Sequence, residues 1–206
     1  MLSNLYMRRF VLGWKVLGHE RRLGAHIVNY ADDFVICCRG NATAALEVMR
    51  AMMGRLGLTV NEDKTGICRL PAESVTFLGY TIGRCYSTQT GRAYVGTRPS
   101  KKSVRRVTQA VSALTAPHYT LLEAEVIVGR LNRLLIGWGN YFYLGPVSKA
   151  YRAVDAHARH RLRQWLRHKH KQRGRGLKRY PDEHLYDTLG LVCLPRRTRD
   201  LPWATA

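Results

Sequence analysis

The sequence predicts an α+β fold followed by an all-helical part. Three observations carry this. Two short apolar runs flank the turn Tyr30-Ala31-Asp32-Asp33, and apolar spacing before Arg98 alternates between helical and strand-like. After Pro99 the spacing is helical for about seventy residues. Hydrophobic residues make up 46% of the 206, so the chain can bury a core and is not globally disordered.

In chain order, residues 1–18 place Leu2, Leu5, Tyr6 and Phe10 at helical spacing, with Gly13 and Gly18 loosening the segment. Ala25-His26-Ile27-Val28 and Phe34-Val35-Ile36-Cys37-Cys38 each read as a buried strand. Joined at the two aspartates they form a hairpin with both carboxylates at its tip, where Asp tolerates turn geometry. Paired hard oxygens on a rigid turn suit Mg²⁺, yet an isolated Asp-Asp pair also fits an ordinary acidic turn. Gly40-Asn41-Ala42-Thr43 opens a helix whose inward face is Ala45, Met49, Met52, Met53 and Leu56, ended by Gly57. The methionines read as core packing. Leu58-Thr59-Val60 reads as a short strand, residues 61–66 as a polar loop, and Val75 to Ile82 as a strand interrupted by Gly79. Residues 83–97 hold Gly83, Gly91 and Gly96 and read as a hairpin or loop. This resembles about half of a ferredoxin-like sheet and looks incomplete.

Ser100 caps a helix with Val104, Val107, Val111 and Leu114 inward, ended by Pro117. Thr120-Leu121-Leu122-Glu123 has the spacing of a capping box. It opens a helix with Ala124, Ile127, Val128, Leu131, Leu134, Leu135 and Trp138 on one face, broken at Gly139 and Gly145-Pro146. A third helix carries Val147, Tyr151, Val154, Ala158, Leu162 and Trp165 inward, with Arg152, Arg159, Arg163 and Arg167 on another stripe. Three such helices make a bundle.

The net charge is +20, from 34 basic and 14 acidic residues, and it favours a polyanionic partner, nucleic acid before membrane. Arg159 to Arg179 holds ten Lys or Arg and no acid, a run whose self-repulsion an anionic partner would offset. Five cysteines without a C-x-x-C spacing argue against a disulfide framework and a zinc site, and fit a reducing compartment. No apolar run approaches a membrane span.

Tyr30-Ala31-Asp32-Asp33, then Leu56–Thr65 ("LGLTVNEDKT"), then Phe77–Tyr80 ("FLGY"), resemble the second half of a reverse-transcriptase palm. Leu131–Phe142 ("LNRLLIGWGNYF"), followed by Ser148, Asp155, Arg161-Leu162, Trp165 and Lys169-His170, resembles the maturase-specific domain of group II intron-encoded proteins. YADD alone is weakly specific, whereas the ordered combination is highly specific. The resemblance implies a palm portion at 1–98, a thumb or maturase domain at 99–172 and a basic tail at 173–206.

It also implies roles. Asp32 and Asp33 would hold catalytic Mg²⁺ in a two-metal site, Asp32 being the stronger ligand. Lys64 would act catalytically near the leaving pyrophosphate, although an exposed loop lysine is an equal reading. Tyr30, Ala31, Phe77, Leu78 and Gly79 would lie near the primer and nucleotide, Gly79 by allowing close backbone approach. Arg130, Arg133, Asn140, Tyr141, Arg152, Arg159, Arg163, Arg167, Lys169 and Lys171 would contact RNA. The implied partners are group II intron RNA and a DNA primer or target, in the bacterial cytoplasm rather than an organelle.

The family's Pro-Gln-Gly segment, its fingers and the strand with its first catalytic aspartate have no counterpart here, nor has the HNH-type endonuclease domain of some relatives. The expectation is a truncated or split enzyme, not a competent polymerase alone. It would be helped by a complementing N-terminal fragment and prone to aggregate without that fragment or RNA. The alternative is a non-enzymatic, intron-RNA-binding maturase fragment. The Arg-bearing start, residues 1–10, aligns with a helix of the palm rather than a presequence.

Overall fold

Helix α1 (Leu2–Val16) forms around an apolar stripe at Met7, Phe10 and Trp14, all buried. The computed structural model describes residues 2–87 and 89–200, with no side-chain description at 2, 3, 199 and 200. The Leu2 side chain, expected inward, is outside what is described, as is the tail beyond residue 200. Leu5 and Tyr6, also expected inward, are exposed. The buried stripe starts later because Trp14 anchors the helix: its indole N–H donates to the Ala25 carbonyl at 2.9 Å. A short helix α2 (His19–Leu23) follows, ended by Gly24 in the left-handed region.

The hairpin is β1 (Ala25–Tyr30) and β2 (Asp33–Cys38), antiparallel, with Ala25 opposite Cys38 and Tyr30 opposite Asp33. It is buried on one face only. Ala25 and Ile27 point into the core, while Val28 and Cys37 are exposed. The expectation of two fully buried strands fails because α1 and α3 pack against a single side. Helix α3 (Ala42–Arg55) starts at Asn41, whose side chain accepts from the Ala44 amide, and buries Ala45, Met49, Met52 and Met53. Residues 58–60 form no strand. Leu58 donates its amide to the Met53 carbonyl at the end of α3, and Leu58 and Val60 pack on the core as irregular chain. Strand β3 (Val75–Phe77) ends this first unit, residues 1–78.

The second unit spans residues 79–206. Leu78 and Gly79 both have positive φ, 49° and 79°, so the strand expected from Val75 to Ile82 is interrupted there, and β4 (Tyr80–Tyr86) begins after them. β4 pairs antiparallel with β5 (Ala93–Pro99), Tyr80 opposite Pro99. Ser100 then caps α4 (Lys101–Leu114) by accepting from the Ser103 amide at 3.1 Å. Helix α5 (Ala124–Tyr141) and helix α6 (Ser148–Lys169) complete the bundle.

Two local expectations are corrected here. The capping box does not form: Thr120 donates its hydroxyl to the Pro117 carbonyl, and Glu123 precedes α5 without a side-chain cap. Nor does Gly139 break α5. It lies inside the helix, packed against Leu194 Cδ2, which a Cβ there would approach to 3.3 Å, and its carbonyl accepts from the Tyr151 hydroxyl at 2.8 Å. The core joins Val107, Val111, Ile127, Leu131, Leu135, Leu162 and Trp165 with Tyr180, Leu185, Leu191 and Leu194, so much of the expected tail is core. Burial of each large side chain of this kind is worth ~1.5–3 kcal/mol. Among the described residues no helix is long and apolar enough to cross a membrane.

Candidate functional site

Tyr30 pairs with Asp33, which leaves Ala31 and Asp32 as a two-residue loop with Ala31 at φ 54°. Tyr30, Ala31, Asp32 and Asp33 are thus brought together at one exposed tip. Cross-strand partners share a face, so Asp33 stands beside the Tyr30 ring on the hairpin's outer side. A cleft of about 480 Å³ opens next to the turn. Asn4, Met7, Arg8, Val11 and Leu12 of α1 line it together with Asn29, Tyr30 and Ala31. Arg8 puts a fixed cation on the wall of this cleft, a feature that sequence reasoning missed. Its existence depends on how α1 crosses the hairpin, and no local pattern encodes that crossing. Among the described residues no three His, Cys, Asp or Glu cluster as a metal-holding group.

Lys64 sits apart from the hairpin in sequence and element, on a single exposed turn, Glu62–Lys64. Asn61 caps that turn by accepting from the Lys64 amide, and Arg50 of α3 ties it down through Glu62. The Lys64 side chain is exposed. Phe77 and Leu78 are half-buried at the end of the first unit.

Gly79 opens the second unit, and the space it leaves is filled from within. A Cβ there would lie 2.9 Å from Ser103 Oγ and 3.0 Å from Phe142 Cζ. The Ser103 hydroxyl and the Ser100 amide both donate to the Gly79 carbonyl, at 2.9 Å each.

The arginine stripe of α6 is not the free surface that its spacing suggests. Arg163 is buried and donates to the Tyr180 carbonyl at 2.8 Å and to Asp182 Oδ1 at 2.5 Å. Arg159 bridges Asp155, at 3.1 Å, and Asp182. The physical reason is Asp182, which the chain beyond α6 folds back over the stripe. Asp155 is itself buried and accepts from the Tyr186 hydroxyl at 2.5 Å and the Leu194 amide at 3.2 Å. Burial, then the Asp155 carboxylate, pushes the Tyr186 hydroxyl far up, so it stays a proton donor. Together Asp155, Asp182 and Tyr186 form a clasp that holds the chain after α6 on the bundle.

The remaining residues expected to meet RNA divide in two. Lys169 is engaged inside the unit: it donates to the Leu122 carbonyl at 2.8 Å and pairs with Glu123 at 3.5 Å. Arg130 lies over the Tyr119 ring, and Asn140 accepts from Arg197 at 2.7 Å. Tyr141 is half-exposed and packs on Phe142. Arg133, Arg152 and Lys171 are exposed, and Arg152 donates to the Ser148 carbonyl. Arg167 is half-buried, with its Nε lacking a partner among the described residues.

Two known families match different parts of the chain. Residues 1–82 match the reverse transcriptase (RNA-dependent DNA polymerase) family. Residues 104–181 match the group II intron maturase-specific domain. The chain belongs to the group II intron reverse transcriptase and maturase family. No curated protein matches it.

In this reverse transcriptase and maturase chain the polymerase match contains the Asp32-Asp33 turn and the Arg8 cleft. The maturase match contains α5, α6 and most of α4, and it ends one residue before Asp182. The clasp partners Asp182, Tyr186 and Leu194 therefore lie beyond it. Family membership implies intron RNA and other nucleic acid as partners.

Proposed function

We propose that this chain works chiefly as an intron-RNA-binding maturase module, and that its palm hairpin supplies only part of a polymerase centre. The observation that carries the reading is the division of charge. The first unit holds ten basic and seven acidic residues, the second 24 basic and seven acidic. A bundle with that imbalance suits the phosphates of folded RNA. The exposed Arg133, Arg152 and Lys171 are among its outward cations.

Asp32 and Asp33 fit one hard cation, since Mg²⁺ is commonly held by one or two carboxylates together with substrate phosphates. Bound there, Mg²⁺ would supply activation of a primer 3′-hydroxyl and neutralisation of the departing pyrophosphate. Asp32 and Asp33 alone do not make the family's two-metal set, because the described residues hold no third carboxylate near them. A displacement of ~1 Å in such a centre costs ~10²-fold in rate. The Arg8 guanidinium on the cleft wall would attract an incoming anion. Lys64, exposed on its own turn, would be a further cation for that anion. Polymerisation thus requires carboxylates from outside the described residues, and a complementing fragment would be one source. The proposed setting is the nucleic acid of a bacterial cytoplasm.

Two assays with the full chain test this. Binding to structured intron RNA should fall steeply with salt and exceed binding to random duplex DNA. Template-directed extension of a DNA primer on RNA, with Mg²⁺ present, should be absent. Extension that disappears in Asp32→Ala would refute the partial-centre reading, and a flat salt response would refute the RNA-binding one.

A further inference from the structure

The last three turns of α6 and the loop after it flank a half-open cavity of about 380 Å³. His160, Arg163, Gln164 and Arg167 line it from the helix, and Arg175 and Leu177 from the loop. No carboxylate lines it. The helical residues follow a three-and-four spacing, so they share one face. The loop backbone is locked onto that face at Gly176, φ +73°, where a Cβ would meet Arg167 Cγ at 2.8 Å and Cδ at 2.9 Å. The Tyr180 amide holds the same residue by donating to the Gly176 carbonyl at 2.9 Å.

The charges in the cavity are not equivalent. Arg163 is compensated by Asp182. Arg167 and Arg175 form no ion pair among the described residues, and the Arg167 Nε is buried without a hydrogen-bond partner. Arg167 and Arg175 therefore line the cavity as guanidinium groups without a counter-charge, which an acceptor of opposite charge would supply.

We infer that this cavity is a seat for a phosphodiester of an RNA strand, with Arg167 and Arg175 as its two donors and Gln164 as a neutral one. The inference rests on the RNA-binding reading of the second unit and names where that unit grips the backbone. A strand is favoured over a lone anion because the same loop exposes Lys171, Arg173, Lys178 and Arg179 on either side of the seat. A single phosphate would leave those cations unused, whereas the flanking phosphates of a strand would meet them. The stripe position is thus replaced by a pocket: Arg163 shapes the wall, and Arg167 with Arg175 binds.

The test uses the full chain and a mixed-sequence single-stranded RNA, followed by fluorescence anisotropy across a salt series. Arg175→Gln sits in an exposed loop and should leave the thermal melt unchanged. Arg175→Gln and Arg167→Gln should each weaken binding about tenfold at low salt and flatten the log–log salt slope by ~0.7, the loss of one phosphate contact. Arg106→Gln, an equal charge change on the exposed face of α4, should have a clearly smaller effect. Equal losses in all three variants would mean diffuse attraction and overturn the seat. So would normal binding by Arg175→Gln and Arg167→Gln, even though wild-type RNA binding would then leave the broader function standing. A wild-type chain without salt-dependent RNA binding overturns both. Inorganic phosphate is the second arm: RNA displaced by equimolar phosphate would mark a free-anion site and overturn the strand assignment.

Discussion

Replacing Asp155 by alanine should release the chain that follows α6. Asp155 is 3% exposed and accepts from three donors: the Tyr186 hydroxyl, the Leu194 amide and Arg159 Nε. Arg159 keeps Asp182 in the variant, so its loss is small. The Leu194 amide, on a residue with no exposed surface, would be left unpaired at a cost of ~1–3 kcal/mol. A hydrogen bond between Tyr186 and a charged acceptor adds ~1.5–3 kcal/mol. Allowing for partial relaxation, Asp155→Ala should destabilise the second unit by ~3–5 kcal/mol, lowering its melting temperature by ~3 °C per kcal/mol. Asp155→Asn keeps an acceptor and should lose about half as much. Urea unfolding followed by circular dichroism measures the free energies, and amide exchange over residues 184–194 reports the release. Tyr186→Phe combined with Asp155→Ala should be non-additive by at least ~1 kcal/mol. A loss below ~1 kcal/mol in Asp155→Ala, or additivity in the double variant, would show that the apolar contacts of Leu185, Leu191 and Leu194 hold this segment without the clasp.

Three further outcomes are expected. Burial first, and the Arg161 cation less strongly, lower the His157 pKa, so the unfolded chain takes up its proton at a higher pH than the folded one. Stability from this group is therefore full above the ordinary histidine pKa near 6.5 and declines as pH falls through that value towards the lowered one. The urea midpoint of the second unit should drop from pH 7.5 to 5.5, less so in His157→Gln, and an identical drop in both would remove His157 as the cause. Trp14→Phe leaves the Ala25 carbonyl without its indole donor and opens space in the first core, for a loss of ~2–3 kcal/mol. Hydrogen exchange should accelerate in residues 25–53 and stay unchanged in the second core, since the two clusters share no residue. Gly79→Ala combines a positive φ with contacts of 2.9 and 3.0 Å and should cost ~2–3 kcal/mol. Gly91→Ala, at φ +67° with nothing within 4 Å, should cost ~1 kcal/mol, and equal melting shifts would mean that crowding at Gly79 is relieved.

Features written in adjacent residues were legible. The caps at Asn41 and Ser100, the methionine face of α3 and the aspartate turn of the hairpin all follow from spacing or turn chemistry within a few positions. Where sequence reasoning failed, a distant group had taken over a local one. The capping box at Thr120–Glu123 gave way because Lys169 of α6 binds the Thr120 and Leu122 carbonyls and Glu123. Residues 58–60 had strand-like composition but no strand to pair with, and α3 claimed the Leu58 amide. Gly139 lies within α5, where its bare backbone packs against Leu194 and its carbonyl accepts from Tyr151, contacts made by distant residues.

By itself the sequence determined the family, the aspartate pair on its turn and the concentration of cations after Pro99, because motifs, periods and charge counts are properties of the linear chain. Only the tertiary structure decided which cations remain available. Asp182 lies 19 residues from Arg163 and Leu194 lies 39 from Asp155, distances over which no periodicity carries information. The path of the chain after α6 sets both pairings. That path neutralises Arg159 and Arg163, leaves Arg167 and Arg175 without an ion-pair partner among the described residues, and so turns part of an apparent stripe of arginines into a half-open basic pocket.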